Sequence, residues 1–353
     1  MQFPRLAQLG WNDELAAEFS SHDGLEPGRV AVQHRGAWEV ATEADDVLVE
    51  ITGRLRHAAE PGELPVVGDW VGLRERQIDV VLPRRSKFSR KTPFTEVSEQ
   101  VLVANVDVAF LVMGLDERDF SIRRLERYLA TAWEGGATPV IVLNKADLAT
   151  DLDSAVAETE SVAFGVPVHV ATAVAAEGVD VLLPYLAGAK TGVLLGSSGV
   201  GKSTLINALL GDGRLQTGEV RSDGRGRHTT SHRELLVLPE GGVLIDTPGL
   251  RELQLWETDG GLDKAFADIA ELVTECKFSD CAHDTEPGCA VREALADGTL
   301  PADRWESYLK LQRELAHLER KLDPRLRAEE RKKWAAISKS QRERMKVTNS
   351  KKR

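Results

Sequence analysis

The sequence is poor in cysteine, in aromatic residues and in long apolar runs. Only three of its 353 residues are cysteine, and aromatic residues make up 5%. So few cysteines, in an odd number, argue against a disulfide framework and indicate a reducing compartment. The most apolar stretch, residues 101–115, contains Asn105 and Asp107 and is too short to cross a bilayer. Residues 1–4 do not begin a secretory signal. We therefore expect a cytoplasmic protein without a membrane partner.

The charge of the chain is unevenly distributed. Apolar residues make up 42% and charged residues 29%, as in globular proteins, and the length favours two or three domains. The formal net charge of −11 argues by itself against a nucleic-acid partner. Residues 324–353, however, hold twelve Lys or Arg against three Glu, which leaves −20 for the rest of the chain. This basic tail is a candidate for binding a polyanion, as a helix or as a disordered segment.

The first third of the chain has the pattern of a small β-barrel. Five short runs of β-type residues are separated by Gly and Pro, at residues 30–32, 38–40, 47–51, 70–71 and 78–82. Five strands of this kind favour an oligonucleotide-binding (OB) type barrel, although an undifferentiated β-subdomain has the same pattern. The basic stretch Arg84–Lys91, which includes Phe88, is either a surface for RNA phosphates and bases or a solvated linker.

From residue 101 onward, strand-like runs alternate with helical ones, which indicates an α/β sheet covered on both faces. The strand-like runs are residues 106–113, 140–143, 166–170, 193–195, 235–238 and 243–245. Helical stretches such as residues 122–133 and 204–210 lie between them.

A phosphate-binding loop stands between one predicted strand and one predicted helix. The sequence Gly196-Ser197-Ser198-Gly199-Val200-Gly201-Lys202-Ser203, followed by Thr204, has the spacing G-x-x-x-x-G-K-S. Glycines in such a loop let backbone N–H groups converge on phosphate oxygens at the helix N-terminus. We expect Lys202 to contact the β- and γ-phosphates and Ser203 to bind Mg²⁺.

A second motif indicates that the nucleotide carries guanine. Asn144-Lys145-Ala146-Asp147 follows a predicted strand and matches N-K-x-D. The Asp147 carboxylate accepts from guanine N1–H and the exocyclic amine, a pairing that adenine does not offer. Residues 170–173 are a weaker candidate for a backbone contact to the guanine oxygen. An ATPase would require this motif to be a coincidence.

The order of the motifs indicates a circular permutation. Ordinary GTPases place the guanine-reading motif last, whereas here it precedes the phosphate loop. Such a rearrangement is tolerated because the sites lie at strand ends and chain termini are often close together.

Two later segments complete the expected GTP and Mg²⁺ site. After a further strand, Asp246-Thr247-Pro248-Gly249 places a carboxylate for Mg²⁺ and a glycine N–H for the γ-phosphate. Either Thr229 or Thr230 is expected to close on Mg²⁺ when GTP is bound.

The residue that orients the attacking water is not evident. Leu250 stands where many GTPases carry glutamine. His228 or a group supplied by a partner must then position the water, and slow intrinsic turnover follows. His228 is equally well a solvated loop histidine. The candidate catalytic residues are Lys202, His228, Thr229 and Thr230.

All three cysteines lie in one short span with a histidine. The spacing Cys276-x4-Cys281-x-His283-x5-Cys289 supplies three thiolates and one imidazole, a closed tetrahedral set for one structural Zn²⁺. Unrelated buried cysteines are the alternative. Beyond this span, Asp303 and Glu306 indicate a helix start, and an apolar stripe follows that we assign to the core: Trp305, Tyr308, Leu311, Leu315, Leu318 and Leu322.

In combination, these motifs resemble the ribosome small-subunit-dependent GTPase A family of circularly permuted bacterial GTPases. The resemblance implies a P-loop GTPase domain, circularly permuted, between an N-terminal OB-type barrel and a C-terminal helical zinc-binding domain. The corresponding boundaries are residues 1–95, 96–258, 259–323 and a basic tail at 324–353. It also implies that GTP hydrolysis is stimulated by the small ribosomal subunit during late maturation, with contact to its rRNA. In this family the histidine matched by His228 has been considered catalytic.

Two functional hypotheses follow. In the first, the protein is a GTP hydrolase and RNA-binding assembly factor that acts as a monomer. In the second, it is a GTP-gated RNA-binding module in which hydrolysis only drives release.

Overall fold

The computed structural model describes residues 3–59, 62–91, 99–116, 119–211, 233–247 and 260–322. The strands are β1 Glu26–Gln33, β2 Trp38–Thr42, β3 Asp46–Ile51, β4 Trp70–Arg74, β5 Gln77–Val81, β6 Lys87–Lys91, β7 Glu99–Ala104, β8 Val108–Gly114, β9 Thr138–Asn144, β10 Val168–Val170, β11 Thr191–Leu195, β12 Glu234–Val237 and β13 Val243–Asp246. The α-helices are α1 Pro4–Gln8, α2 Asp13–Phe19, α3 Gly53–Ala58, α4 Ile122–Glu134, α5 Leu152–Glu160, α6 Lys202–Leu210, α7 Gly261–Ala265, α8 Ala267–Thr274, α9 Ala290–Asp297 and α10 Ala302–Leu322. None of the described helices has the length and apolar character needed to cross a bilayer.

Strands β1 to β5 form the predicted barrel. Their order is β1-β2-β3-β5-β4, and β4 pairs back onto β1, which closes the ring. The interior of the ring is apolar: along β3, Val47, Val49 and Ile51 are buried, while the residues between them are exposed. The OB-type prediction is confirmed.

The basic stretch after the barrel is neither a stacking surface nor a linker. It contains β6, which pairs antiparallel with β7, and Phe88 is only 1% exposed within the core. Arg84 donates to the buried carboxylate of Asp69 at 2.8 Å. The expectation that Phe88 stacks on bases is therefore wrong, because the strand turns this ring inward. Strands β6 and β7 lie on either side of the boundary predicted at residue 95, which itself falls outside the described residues.

The second part of the chain forms the predicted α/β sheet. Its order is β10-β9-β8-β11-β13-β12, parallel except for β12, which pairs antiparallel with β13. Both faces are covered, because along β8 Phe110 packs in the apolar cluster containing Leu205 of α6, whereas Leu111 packs in the one containing Leu125 of α4.

The barrel and the α/β sheet meet at β1. Val32 pairs with Glu234 of β12, so that the strands form one continuous sheet. Arg29 of β1 is buried and donates to the Leu9 carbonyl, to the Asn105 carbonyl at 3.2 Å and to Thr191 Oγ1 at 2.8 Å. Burial lowers the pKa of Arg29 to about 10, so the side chain remains a cation at neutral pH. One guanidinium thus connects the N-terminal helices, the barrel and the α/β sheet.

The C-terminal helices pack on α4. The predicted core stripe of α10 is confirmed for Tyr308, Leu311, Leu315 and Leu318, which are buried. Arg304 of α10 is 5% exposed and pairs with Glu126 of α4 at 2.9 Å and Asp268 of α8 at 2.6 Å. Removing one partner of such a buried pair typically costs about 3–5 kcal/mol, since the other charge is left without compensation. Arg304 therefore fixes the position of α10 relative to α4.

Candidate functional site

Four segments that are distant in the sequence meet at one edge of the α/β sheet. Strands β8, β9, β10, β11 and β13 run parallel, so their carboxyl ends lie together, the position at which sheets of this kind bind ligands. The segments that follow these strands include Asn144–Asp147, Ala171–Ala173, Gly196–Ser203 and Asp246. The structure therefore brings the predicted base-reading motif and phosphate loop to the same place.

The phosphate loop has the conformation its glycines permit. Gly201 precedes α6 with φ +96°, and a Cβ there would lie 2.3 Å from Asn144 Nδ2. Lys202 Nζ donates to the carbonyls of Gly196 at 2.8 Å and Ser197 at 2.6 Å, so the ammonium group lies over the loop. Ser203 is half-buried in the first turn of α6. The backbone N–H groups of that turn and the positive end of the helix favour an anion here.

Asn144 connects the base-reading motif to the phosphate loop. Its side chain is buried, with Nδ2 donating to the Val200 carbonyl at 2.7 Å and Oδ1 accepting from Ala173 N at 3.0 Å. The sequence motif identified Asn144 only as part of a nucleotide-binding signature. The structure shows that it positions residues on both sides of the site.

Lys145 is held by two carboxylates that the sequence motifs do not include. Its Nζ donates to Asp116 at 2.5 Å and Asp119 at 3.1 Å. Burial lowers the pKa of Lys145, but the hydrogen bonds to Asp116 and Asp119 outweigh it and raise the pKa above its usual value. Both aspartates lie just beyond the carboxyl end of β8. Their position directly after a predicted strand was the sequence feature that could have identified them as site residues.

Asp147, the predicted guanine-binding residue, is exposed and accessible to a ligand. It lies in the short 3₁₀ helix Ala146–Leu148, whose first N–H donates to the Ala171 carbonyl at 3.2 Å. This bond sets residues 171–173 beside the motif, where the sequence placed a backbone contact to guanine.

Asp246 is the last residue of β13, which pairs in parallel with β11. Its carboxylate therefore lies at the same edge as the phosphate loop. Four other predicted residues lie outside the described part of the chain: His228, Thr229, Thr230 and Gly249.

The three cysteines and His283 converge as predicted. Their ligand atoms lie within 4.8 Å of one another. Cys276 Sγ is 3.9 Å from Cys289 Sγ and 3.5 Å from His283 Nδ1, which is in turn 3.4 Å from Cys289 Sγ. Tetrahedral zinc bonds of normal length separate two sulfurs by about 3.8 Å and a sulfur from a nitrogen by about 3.6 Å. The donor set fits a zinc ion, and unrelated burial of the cysteines does not explain this convergence.

The loop that carries these donors is supported from two sides. Glu286 accepts from the backbone N–H groups of Ala282 at 3.1 Å and Asp284 at 3.0 Å. Hydrogen bonds from its own backbone and from these groups lower the pKa of Glu286. The His283 ring packs edge-on against Trp305 of α10. The cluster is thereby attached to the long helix that contacts α4.

Comparison with known proteins gives the family. The family model for RsgA GTPase matches residues 81–256. A relative from Opitutus terrae named "Small ribosomal subunit biogenesis GTPase RsgA" is 47% identical over 97% of this chain and 98% of its own length. The chain belongs to the RsgA GTPase family. A similarly named RsgA 1 from Oceanobacillus iheyensis is 52% identical over 83% of this chain and 86% of its own length.

Solved structures agree with RsgA membership. The crystal structure of YjeQ from Thermotoga maritima superposes with a TM-score of 0.61 at 30% identity, and covers 83% of this chain and 99% of its own. YloQ, described as a circularly permuted GTPase, gives a TM-score of 0.58 at 25% identity, over 84% and 96% of the two chains. A family model for ABC transporters also matches residues 185–350, which include the phosphate loop. As an RsgA family member the chain is a GTP hydrolase, and GTP or GDP with Mg²⁺ is the ligand that the family implies.

Proposed function

We propose that the protein is a GTP-hydrolysing switch that acts in maturation of the small ribosomal subunit and contacts its rRNA. The observation that carries the proposal is the convergence of Asp147 and the Lys202 loop at one sheet edge, in a chain whose relatives are named for this role. A cytoplasmic location and a monomeric state belong to the same proposal.

The residues would divide the work between base, phosphates and metal. Asp147 accepts the hydrogen bonds of guanine, with the backbone of residues 171–173 beside it. The N–H groups of the phosphate loop and Lys202 bind the β- and γ-phosphates, and Lys202 exchanges its loop carbonyl partners for phosphate oxygens. Ser203 and Asp246 are placed to hold Mg²⁺, which neutralises charge on the phosphates.

The protein lacks the glutamine that positions the attacking water in many GTPases. Leu250 has no hydrogen-bonding group where many GTPases have glutamine. We assign the positioning of water to His228 or to a group of the bound subunit, with Thr229 or Thr230 closing on Mg²⁺ and the Gly249 N–H on the γ-phosphate. Intrinsic hydrolysis is then slow and depends on the subunit.

Single-turnover GTP hydrolysis tests this function. We expect purified small subunits to accelerate hydrolysis at least about tenfold, since arginine-type or water-positioning groups supplied in trans typically contribute more than that. Large subunits serve as the matched control and should have no effect. Binding of small subunits without acceleration would favour the GTP-gated RNA-binding module instead.

The zinc ion is proposed to be structural, because four protein donors leave no position for a substrate. His283→Ala and Cys289→Ser should reduce bound zinc from one per chain to near zero and lower the thermal stability of the C-terminal helices. Zinc content by mass spectrometry and helix content by circular dichroism check this. His317→Ala, on the exposed surface of α10, is the control and should retain the metal. Full zinc content in His283→Ala would contradict the assignment.

A further inference from the structure

A cavity of about 790 Å³ lies between α4 and α10, next to the phosphate loop. Five cationic side chains line it: Arg123, Arg124, Arg127, Lys310 and Arg313. Glu306 is the one acidic residue among its described lining. Two helices from different parts of the chain thus turn cations toward the same space.

These cations are only partly neutralised. Arg127 donates to both carboxylate oxygens of Glu314, at 2.7 and 2.9 Å. Arg123 lies 3.3 Å from Asp303 and from Glu306. Arg124 and Arg313 form no ion pair within the described ranges, whereas the charge of Lys310, after that of Arg127, helps to lower the pKa of Glu314. Arg124 donates to the Asp119 carbonyl at 3.3 Å.

The ion pairs from Arg123 and Arg127 to acidic residues of α10 help to hold the two helices together. They leave Arg124, Lys310 and Arg313 lining the same cleft, where like charges repel. The repulsion is relieved when an anion lies between them. Guanidinium groups are suited to this because their planar donors match the geometry of phosphate oxygens.

The cavity also reaches the nucleotide site. Its wall includes Tyr128 of α4 and Ser197 of the phosphate loop, whose hydroxyl oxygens are 3.5 Å apart. An anion bound between α4 and α10 therefore lies beside the loop that binds GTP.

We propose that this cavity binds backbone phosphates of RNA, and that it is a contact through which the subunit acts on the phosphate loop. The inference rests on the proposed function, since RNA is the polyanion that a subunit presents. A row of cations from two helices suits a chain of phosphates better than it suits one small ion. By linkage, occupancy here and the state of the nucleotide site influence each other.

The test measures the affinity of the protein for purified small subunits. The protein is loaded with a non-hydrolysable GTP analogue, and the salt concentration is varied from about 50 to about 200 mM, over which phosphate contacts weaken measurably. In the double variant Lys310→Gln with Arg313→Gln, the slope of log affinity against log salt should become less negative by about 1.5, as expected for the loss of two phosphate contacts. Lys190→Gln is the matched control. Lys190 is exposed just before β11, at the opposite edge of the sheet, and should leave the slope unchanged.

The outcomes separate the inference from the function. An unchanged slope in the double variant, with normal binding by the wild type, overturns the RNA site and leaves the proposed function intact. Failure of the wild type to bind small subunits removes the proposed function itself. Competition by a single-stranded RNA oligonucleotide, but not by millimolar inorganic phosphate, supports RNA. Phosphate binding that the double variant abolishes, with subunit affinity unaltered, overturns RNA in favour of a small anion.

Discussion

Replacing Asp147 by asparagine is expected to weaken GTP binding by at least about a hundredfold and to create binding of xanthosine triphosphate. The carboxylate is exposed in the 3₁₀ helix that follows β9, and its loss removes the two charge-assisted hydrogen bonds expected to guanine, each worth about 1.5–3 kcal/mol. Asparagine offers an N–H where xanthine presents a carbonyl, so the variant should prefer xanthosine triphosphate to GTP.

Titration of fluorescent GTP and XTP analogues checks this result. Asp153→Asn is the control, because Asp153 is an exposed aspartate on the neighbouring helix α5. Unchanged GTP affinity in Asp147→Asn would count against a guanine site at this position.

Replacing Lys202 by alanine is expected to reduce GTP hydrolysis about a thousandfold, the typical loss when one preorganised charge-stabilising group is removed. The ammonium group lies over the phosphate loop, within 2.8 Å of two of its carbonyls, where the proposed function places the phosphate charge. Single-turnover rates with small subunits present are the measurement. Lys190→Ala, at the far edge of the sheet, should hydrolyse GTP at the normal rate, and a normal rate in Lys202→Ala would contradict the assigned role.

Local patterns predicted the elements of the fold well. Strand β3 of the barrel alternates buried and exposed residues, and the central strand β8 is buried throughout because both of its faces are covered. The phosphate loop was recognisable because its chemistry requires glycine where the backbone approaches other groups, as Gly201 does at Asn144. The zinc donors were recognisable because every cysteine of the chain lies in one span.

Contacts between distant segments were not predictable from the same patterns. The basic residues around Phe88 indicated a surface, but pairing with β7 turns the ring into the core. Likewise, Arg304 and Glu126 are 178 positions apart and each is unremarkable in its own helix. Their pairing depends on how α10 packs on α4, which no local propensity specifies.

The hydrogen bonds of Asn144 are a further contact between distant segments that the sequence motif does not predict. Its motif predicts nucleotide binding, yet its hydrogen bonds reach Val200 and Ala173, which lie in two other loops. Those bonds exist only because the parallel strands end at one edge. They hold the N-K-x-D motif and the phosphate loop together although the order of the motifs has changed.

The central claim is that one GTP molecule is bound jointly by the Lys202 loop and Asp147. A crystal structure with Mg²⁺ and a non-hydrolysable GTP analogue tests it most directly. We predict phosphate oxygens within hydrogen-bonding distance of Lys202 Nζ and the loop N–H groups, with guanine N1 and its amine on the Asp147 carboxylate. Phosphates in the loop with the purine remote from Asp147 would contradict the account.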